Sequence, residues 1–191
     1  MGIPAPTIYN PTLRVEGLNA TSTGINTNAY PQVVGVDANG DITPIGRKTE
    51  YYYTYGTGAR TGVTSTTPTV QPGVAITVIV PAGQTARVYA NCNIGLLNVS
   101  TTAGNYSTVD AVIYVDGAFL PVGGWNRQTT VNHGTGNSLS VISVQASFTL
   151  TAGTHTVDLR TFRNAGNSAV TIGGNATTSV NPGEMTLIVT Y

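Results

Sequence analysis

Any acid–base or nucleophilic chemistry in this chain has to be built around very few side chains. His133 and His155 are the only imidazoles in 191 residues, and a nucleophilic triad needs Ser or Cys beside one of them with an acid to orient it. His155 follows the Thr151-Ala152-Gly153-Thr154 turn, where a ring serves to hold the turn together. His133 stands in Asn132-His133-Gly134-Thr135-Gly136-Asn137, a polar loop that is either inert surface or part of a binding rim. A glycosidase needs two cooperating carboxylates, and the eight acidic residues are scattered through turns and the N-terminal region without a clear pair. The single cysteine, Cys92, lies in an alternating apolar run and reads as a buried, inert thiol. The sequence therefore points away from an enzyme.

Metals and cofactors fare no better. Asp37, Asn39 and Asp41 have the alternate spacing of a calcium loop, but Lys48 occupies the position of its bidentate Glu, and turn chemistry accounts for the same residues. Gly123-Gly124 and Gly134-Thr135-Gly136 are glycine pairs without the Lys-Ser or Lys-Thr that would cradle a phosphate. No metal and no cofactor is expected.

Two aromatic groups remain. Trp125, the only tryptophan, is followed by Asn126-Arg127-Gln128. An aromatic face beside amide and guanidinium donors suits a sugar ring; the same Trp could instead plug a loop onto the core. The stretch from 122 to 137 is the longest without alternation in the second part of the chain, so it is expected to be a loop, with Trp125 as platform and Arg127, Asn132 and His133 as polar contacts. Tyr51-Tyr52-Tyr53-Thr54-Tyr55 is the densest aromatic cluster. As a strand it places Tyr51, Tyr53 and Tyr55 on one face, where they could stack on a ligand or, as expected here, be buried between subunits.

Positioning these groups falls to β-structure. Lys and Arg number 8, Asp and Glu number 8, and the formal charge is zero, which leaves no basic surplus to capture nucleic acid or an anionic membrane. Polarity comes instead from 32 Thr, 16 Asn and 10 Ser beside 23 Gly, while 40% hydrophobic residues suffice for one core. Thr, Val and Ile favour pleated sheet. Alternation recurs from Val74 on: Ile76, Val78 and Val80 share a face, as do Ala86, Val88, Ala90, Cys92 and Ile94, with Pro81-Ala82-Gly83-Gln84 as the turn between. Asp116-Gly117 predicts a two-residue hairpin after Ala111–Val115, and the chain closes on Met185, Leu187, Val189 and Tyr191. Between Leu139 and Leu150 the apolar phase slips at Val141-Ile142, which predicts a bulge or a change of sheet. No segment carries helical periodicity over more than one turn.

Residues 1–60 differ, with frequent Gly, Asn and Pro and only short apolar groups, of which Val33 to Ile45 reads as a hairpin about Asp37-Ala38-Asn39-Gly40-Asp41. Short hairpins need partners, so this region is expected to act as a stem for oligomerisation or particle attachment, with residues 61–191 as the head. The start lacks the basic and apolar segments of a secretory signal, and no apolar run reaches the roughly 18 residues of a membrane span. Synthesis in a cytoplasm without export, and no membrane insertion, are the expectations.

The run from Pro31 to Ile42 resembles the Asp-x-Asn-Gly hairpins that recur in bacteriophage tail-fibre and other virion fibre proteins. From Val74 to Tyr191 the order of strands resembles the C1q and tumour-necrosis-factor type of jelly roll that caps many such fibres. The pieces that carry the likeness are Ile76 to Gly83, Val112 to Gly117, Phe148 to Leu159 and Glu184 to Tyr191. The resemblance implies an all-β jelly-roll sandwich on a short β-hairpin stem, homotrimeric, on a virion surface. It implies contact with other virion proteins through the N-terminal region and attachment to a host-surface glycan or protein. An architectural capsid decoration or minor capsid protein and a carbohydrate-binding lectin module are the alternatives.

Overall fold

The computed structural model describes strands at 33–36 and 42–45 and, continuously but for four residues, the chain from 48 to 191. Strands β1 (Val33–Val36) and β2 (Ile42–Ile45) pair antiparallel, Val33 opposite Ile45 and Val36 opposite Ile42, as the hairpin reading expects. The turn residues Asp37 to Asp41, and with them the calcium-like spacing, lie outside the described residues.

Residues Lys48–Tyr191 form a second compact unit. Its strands are β3 (Thr49–Tyr55), β4 (Arg60–Val63), β5 (Thr69–Val80), β6 (Ala86–Asn98), β7 (Tyr106–Val115), β8 (Ala118–Phe119), β9 (Trp125–Val131), β10 (Ser138–Leu150), β11 (Gly153–Gly166), β12 (Val170–Ile172) and β13 (Glu184–Thr190). No helix occurs among the described residues. One sheet runs β3-β13-β6-β10, with β12 and β4 extending it beside the far end of β6; the other runs β5-β11-β7, with β9 and β8 sharing the outer edge of β7. Taking the eight longest strands in chain order, the first sheet reads first, eighth, third, sixth and the second reads second, seventh, fourth, fifth. That interleaving of two antiparallel sheets is the jelly roll.

The alternation seen in the sequence is what closes this sandwich. Val74, Val78, Val88, Ile94, Ile113, Ile142, Leu159, Leu187 and Val189 all point between the sheets and are at most 2% exposed. Each such side chain contributes on the order of 1.5–3 kcal/mol relative to exposure. Turn chemistry supplies the corners: Asp116 and Gly117 both have positive φ (52° and 76°), the backbone of a type I′ turn joining β7 to β8.

Three expectations are corrected. Residues 48–60, assigned to the stem, belong to the sandwich, because β3 pairs along its whole length with β13, from Thr190 opposite Thr49 to Glu184 opposite Tyr55. The apolar slip at Val141-Ile142 produces neither bulge nor sheet change: β10 pairs with β6 in unbroken register from Ser138 to Leu150. Both phases are apolar there because Leu139 and Val141 face outward while Ile142 faces the core. The stretch from 122 to 137 is not one loop; its centre is strand β9, paired with β7 from Val131 opposite Tyr106 to Trp125 opposite Val112.

Moving the boundary changes where a protease should act. Arg60, in β4, donates from Nη1 to the Thr161 carbonyl at 2.6 Å and to Thr161 Oγ1 at 2.7 Å, so it is held within the fold. Lys48, 65% exposed, precedes the first strand of the sandwich. Limited trypsinolysis is therefore expected to cut at Lys48 rather than at Arg60 and leave a resistant fragment running to Tyr191. Mass spectrometry of the product checks this, and a first cut at Arg60 would place β3 outside the sandwich.

Candidate functional site

The second sheet turns one face inward and the other outward, and the outward face gathers aromatic rings. Because side chains alternate along a strand, Trp125 and Arg127 of β9 share this face with Asp110, Val112 and Tyr114 of β7. The register sets Arg127 opposite Asp110 and Trp125 opposite Val112; Phe162 and Arg160 of β11 lie across β7 from them. The I′ turn returns β8 so that Phe119 lies opposite Tyr114, edge to face, with ring centroids 6.2 Å apart. Asp110, Val112, Tyr114, Phe119, Trp125 and Phe162, with Pro68, line a hollow of about 200 Å³. Trp125 is 51% exposed and Phe119 45%, so the rings meet solvent at its rim.

Charge on this face is paired. Asp110, whose side chain is 2% exposed, accepts from Arg127 Nε at 2.6 Å and Nη2 at 2.8 Å, a bidentate pair that fixes the guanidinium. Arg127 in turn lies over the Trp125 ring, 5.0 Å from its centroid. Asp158 and Arg160 repeat the arrangement, with Nε to Oδ1 at 2.7 Å, Nη2 to Oδ2 at 3.1 Å, and the guanidinium 4.2 Å above Tyr114. Each aromatic ring of these two pairs is thus held by a cation that is itself held by an acid.

Of the four expected recognition residues, the structure brings Trp125 and Arg127 together and separates the other two. Asn132 is fully buried. Its Oδ1 accepts from Gly134 N at 2.7 Å and its backbone N donates to Asn105 O at 2.8 Å, within a buried polar cluster with Asn98, Ser107 and Thr130. His133 is exposed beyond the far end of β9. A strand rises about 3.3 Å per residue, so some 20 Å separates the two ends of β9, more than one sugar ring spans. Tyr114, Phe119 and Phe162 were not singled out from the sequence. Their signal was present, since Tyr114 is in phase with Asp110 and Val112, but nothing local says which face of β7 is outside.

His155 braces this site from the side. Its Nδ1 meets Asp116 Oδ2 at 2.7 Å and its Nε2 meets the Thr151 carbonyl at 2.9 Å; both nitrogens donate only when the ring is protonated. Asp116 Oδ1 also accepts from Thr156 N at 2.8 Å, which ties the β7–β8 turn that carries Phe119 to β11. The bond to Asp116 raises the His155 pKa above its ordinary 6.5, and the bond from His155 lowers that of Asp116 below its ordinary 3.8. A raised His pKa stabilises fully below 6.5 and is lost as pH climbs through the raised value; a lowered Asp pKa stabilises above 3.8 and is lost in acid. Thermal stability is expected to peak between these limits, and His155→Gln should flatten the alkaline fall. Equal alkaline slopes in the two proteins, read by melting temperature against pH, would remove His155 from this role.

The outward face of the first sheet is of another kind. Tyr51, Tyr53 and Tyr55 of β3 stand in a row, 75%, 63% and 49% exposed, beside Ile188 of β13 and Tyr89 of β6. Threonine, asparagine, serine and glutamine fill many of the adjoining outward positions, with exposed Arg87 beside Tyr89 on β6 and Leu139 and Val141 on β10. Glu184 is internally satisfied, accepting from Tyr53 Oη at 3.2 Å and Asn93 Nδ2 at 3.1 Å. Cys92 lies beneath, fully buried, with its thiol pushed up to about 12 by burial. It has no nucleophilic character at neutral pH.

No family model matches this sequence, and no curated protein does. Among solved structures the chain is similar to a family 35 carbohydrate binding module from Clostridium thermocellum, at 13% identity, 82% of this chain, 96% of that one and a TM-score of 0.25. It is also similar to a family 35 module from an environmental isolate, at 11% identity, 66% of this chain, 93% of that one and a TM-score of 0.24.

Proposed function

We propose that the protein is a non-catalytic attachment head of a virion fibre or spike, assembled as a homotrimer through the tyrosine face and binding a host-surface glycan at the hollow beside Trp125. The observation that carries the reading is the half-exposed Trp125, pinned by the Arg127–Asp110 pair at the mouth of an aromatic hollow on a rigid sheet. An exposed indole held in one orientation costs stability unless something covers it, and a ring held still loses little entropy when a ligand stacks on it. The virion context is supported by the Asp37-Ala38-Asn39-Gly40-Asp41 hairpin sequence followed by a jelly roll, in the order seen in fibre heads.

The two faces divide the labour. A row of exposed tyrosines suits a second copy of the same chain, because aromatic rings bury a large apolar area at low entropy cost. The hollow, on the opposite sheet, then stays open to solvent in the assembly. The purified protein on a glycan array is expected to give a specific signal. Silence across the array would favour the architectural reading, in which the particle-attachment region does all the work.

A further inference from the structure

We infer that the hollow beside Trp125 takes one uncharged hexopyranose ring and discriminates against both acidic sugars and cationic ligands. The inference rests on the attachment reading above and narrows its ligand.

Size comes first. Pockets for drug-sized ligands usually run about 300–1,000 Å³, whereas this hollow is about 200 Å³. It accommodates a single ring rather than an extended chain, which must continue out into solvent.

Charge decides the rest. An acidic sugar would need a guanidinium or ammonium free to receive its carboxylate. Both guanidinium groups at this face already chelate a carboxylate, Arg127 on Asp110 and Arg160 on Asp158, and each acid is at least 94% buried. Both oxygens of Asp110 are taken by Arg127, and Oδ2 has a further contact from Asn164 Nδ2 at 3.4 Å. A cationic ligand, such as a quaternary ammonium group, would seek the aromatic faces or the carboxylates. The Trp125 and Tyr114 rings each already carry a guanidinium, Arg127 and Arg160, whose charge stands beside the remaining ring surface and disfavours a second cation, and the carboxylates are spent on the same two arginines. What remains is apolar surface from Trp125, Phe119, Phe162 and Val112, beside the Nη1 groups of Arg127 and Arg160, which lie over the Trp125 and Tyr114 rings and are not used by the acids. C–H bonds on one side and oxygen acceptors on its rim are what a neutral pyranose presents. A proline-rich peptide would use the aromatic surface alone and leave these donors without acceptors.

Trp125 is the only tryptophan, so its emission reports this site and no other. The protein is titrated with methyl glucoside, methyl galactoside and methyl mannoside, and separately with methyl glucuronide, N-acetylneuraminic acid, choline and a proline-rich peptide. A saturable change is expected with at least one neutral glycoside, and the acidic sugars and choline should bind about tenfold more weakly, a difference of about 1.4 kcal/mol. Asp110→Asn frees Arg127 and should raise the acidic-sugar affinity relative to the neutral one. A stronger response to an acidic sugar in the wild-type protein overturns this inference while leaving the attachment reading intact. A response to choline or the peptide alone, or to none of the probes together with a silent array, overturns both.

Discussion

Attachment should weaken by at least about 30-fold when Trp125 is replaced with Ala, while the fold survives. The first figure follows from the energetics of aromatic anchors, which cost 2 kcal/mol or more when truncated at the centre of a binding surface. The second follows from burial. A fully buried Trp costs about 3–5 kcal/mol on truncation, but this ring is 51% exposed, and the loss is expected at about half that, including the contact with Arg127. Binding to the glycan-bearing surface and urea denaturation of the same preparation separate the two quantities. Unchanged binding would return Trp125 to a structural role. A stability loss above about 4 kcal/mol would do the same, because it would mean that the ring is part of the core.

The second large effect is on assembly. Tyr51, Tyr53 and Tyr55 lie on one face of β3, and replacing all three with Ser removes the greater part of the apolar surface there. If each ring contributes about 1–2 kcal/mol at an interface, the triple change weakens each contact by at least about 3 kcal/mol, enough to dissociate a trimer at micromolar concentration. Light scattering is expected to report near three times 19.7 kDa for the native protein and about one third of that for the variant. Since the rings face away from the core, circular dichroism should remain that of an all-β protein. A native protein that is monomeric at micromolar concentration, or a variant of undiminished mass, would remove the tyrosine face from the interface.

Much of this architecture was legible because burial on one face writes a period of two into the sequence. β5, β6, β7, β10, β11 and β13 all cross the core, and Ile76, Val78 and Val80, or Ala86, Val88 and Ala90, record that directly. β9 left no such record. It is an edge strand whose outward row holds Trp125, Arg127, Thr129 and Val131 and whose other row holds Asn126, Gln128 and Thr130, so neither row is uniformly apolar. Asn126 spends its side chain on the Ser143 carbonyl of β10 at 2.7 Å, closing the edge of the sandwich with polarity. The absence of alternation therefore marked an edge, where the sequence reading placed a loop.

The site was half legible for a related reason. Trp125 and Arg127 stand two residues apart, so any strand puts them on one face, and their contact is local information. Asp110, which fixes Arg127, is 17 positions away. Its partnership depends on which strand borders β7, a matter of topology that no spacing announces. The same holds for Phe119 and Phe162, and for Asn132, whose polar side chain turns inward because the end of the sandwich is closed by amides rather than by hydrocarbon.

One hydrogen bond at the edge of the first sheet bears on how such a head could be carried. Tyr191 N donates to the Lys48 carbonyl at 3.0 Å, so residues 48 and 191 meet at one spot on the edge of the sandwich. A unit whose two ends touch can be spliced into a surface turn of an unrelated protein without stretching either, much as one tile is swapped for another. The jelly roll of residues 48–191 has the edge geometry of such an inserted unit, its residues 48 and 191 meeting at one seam.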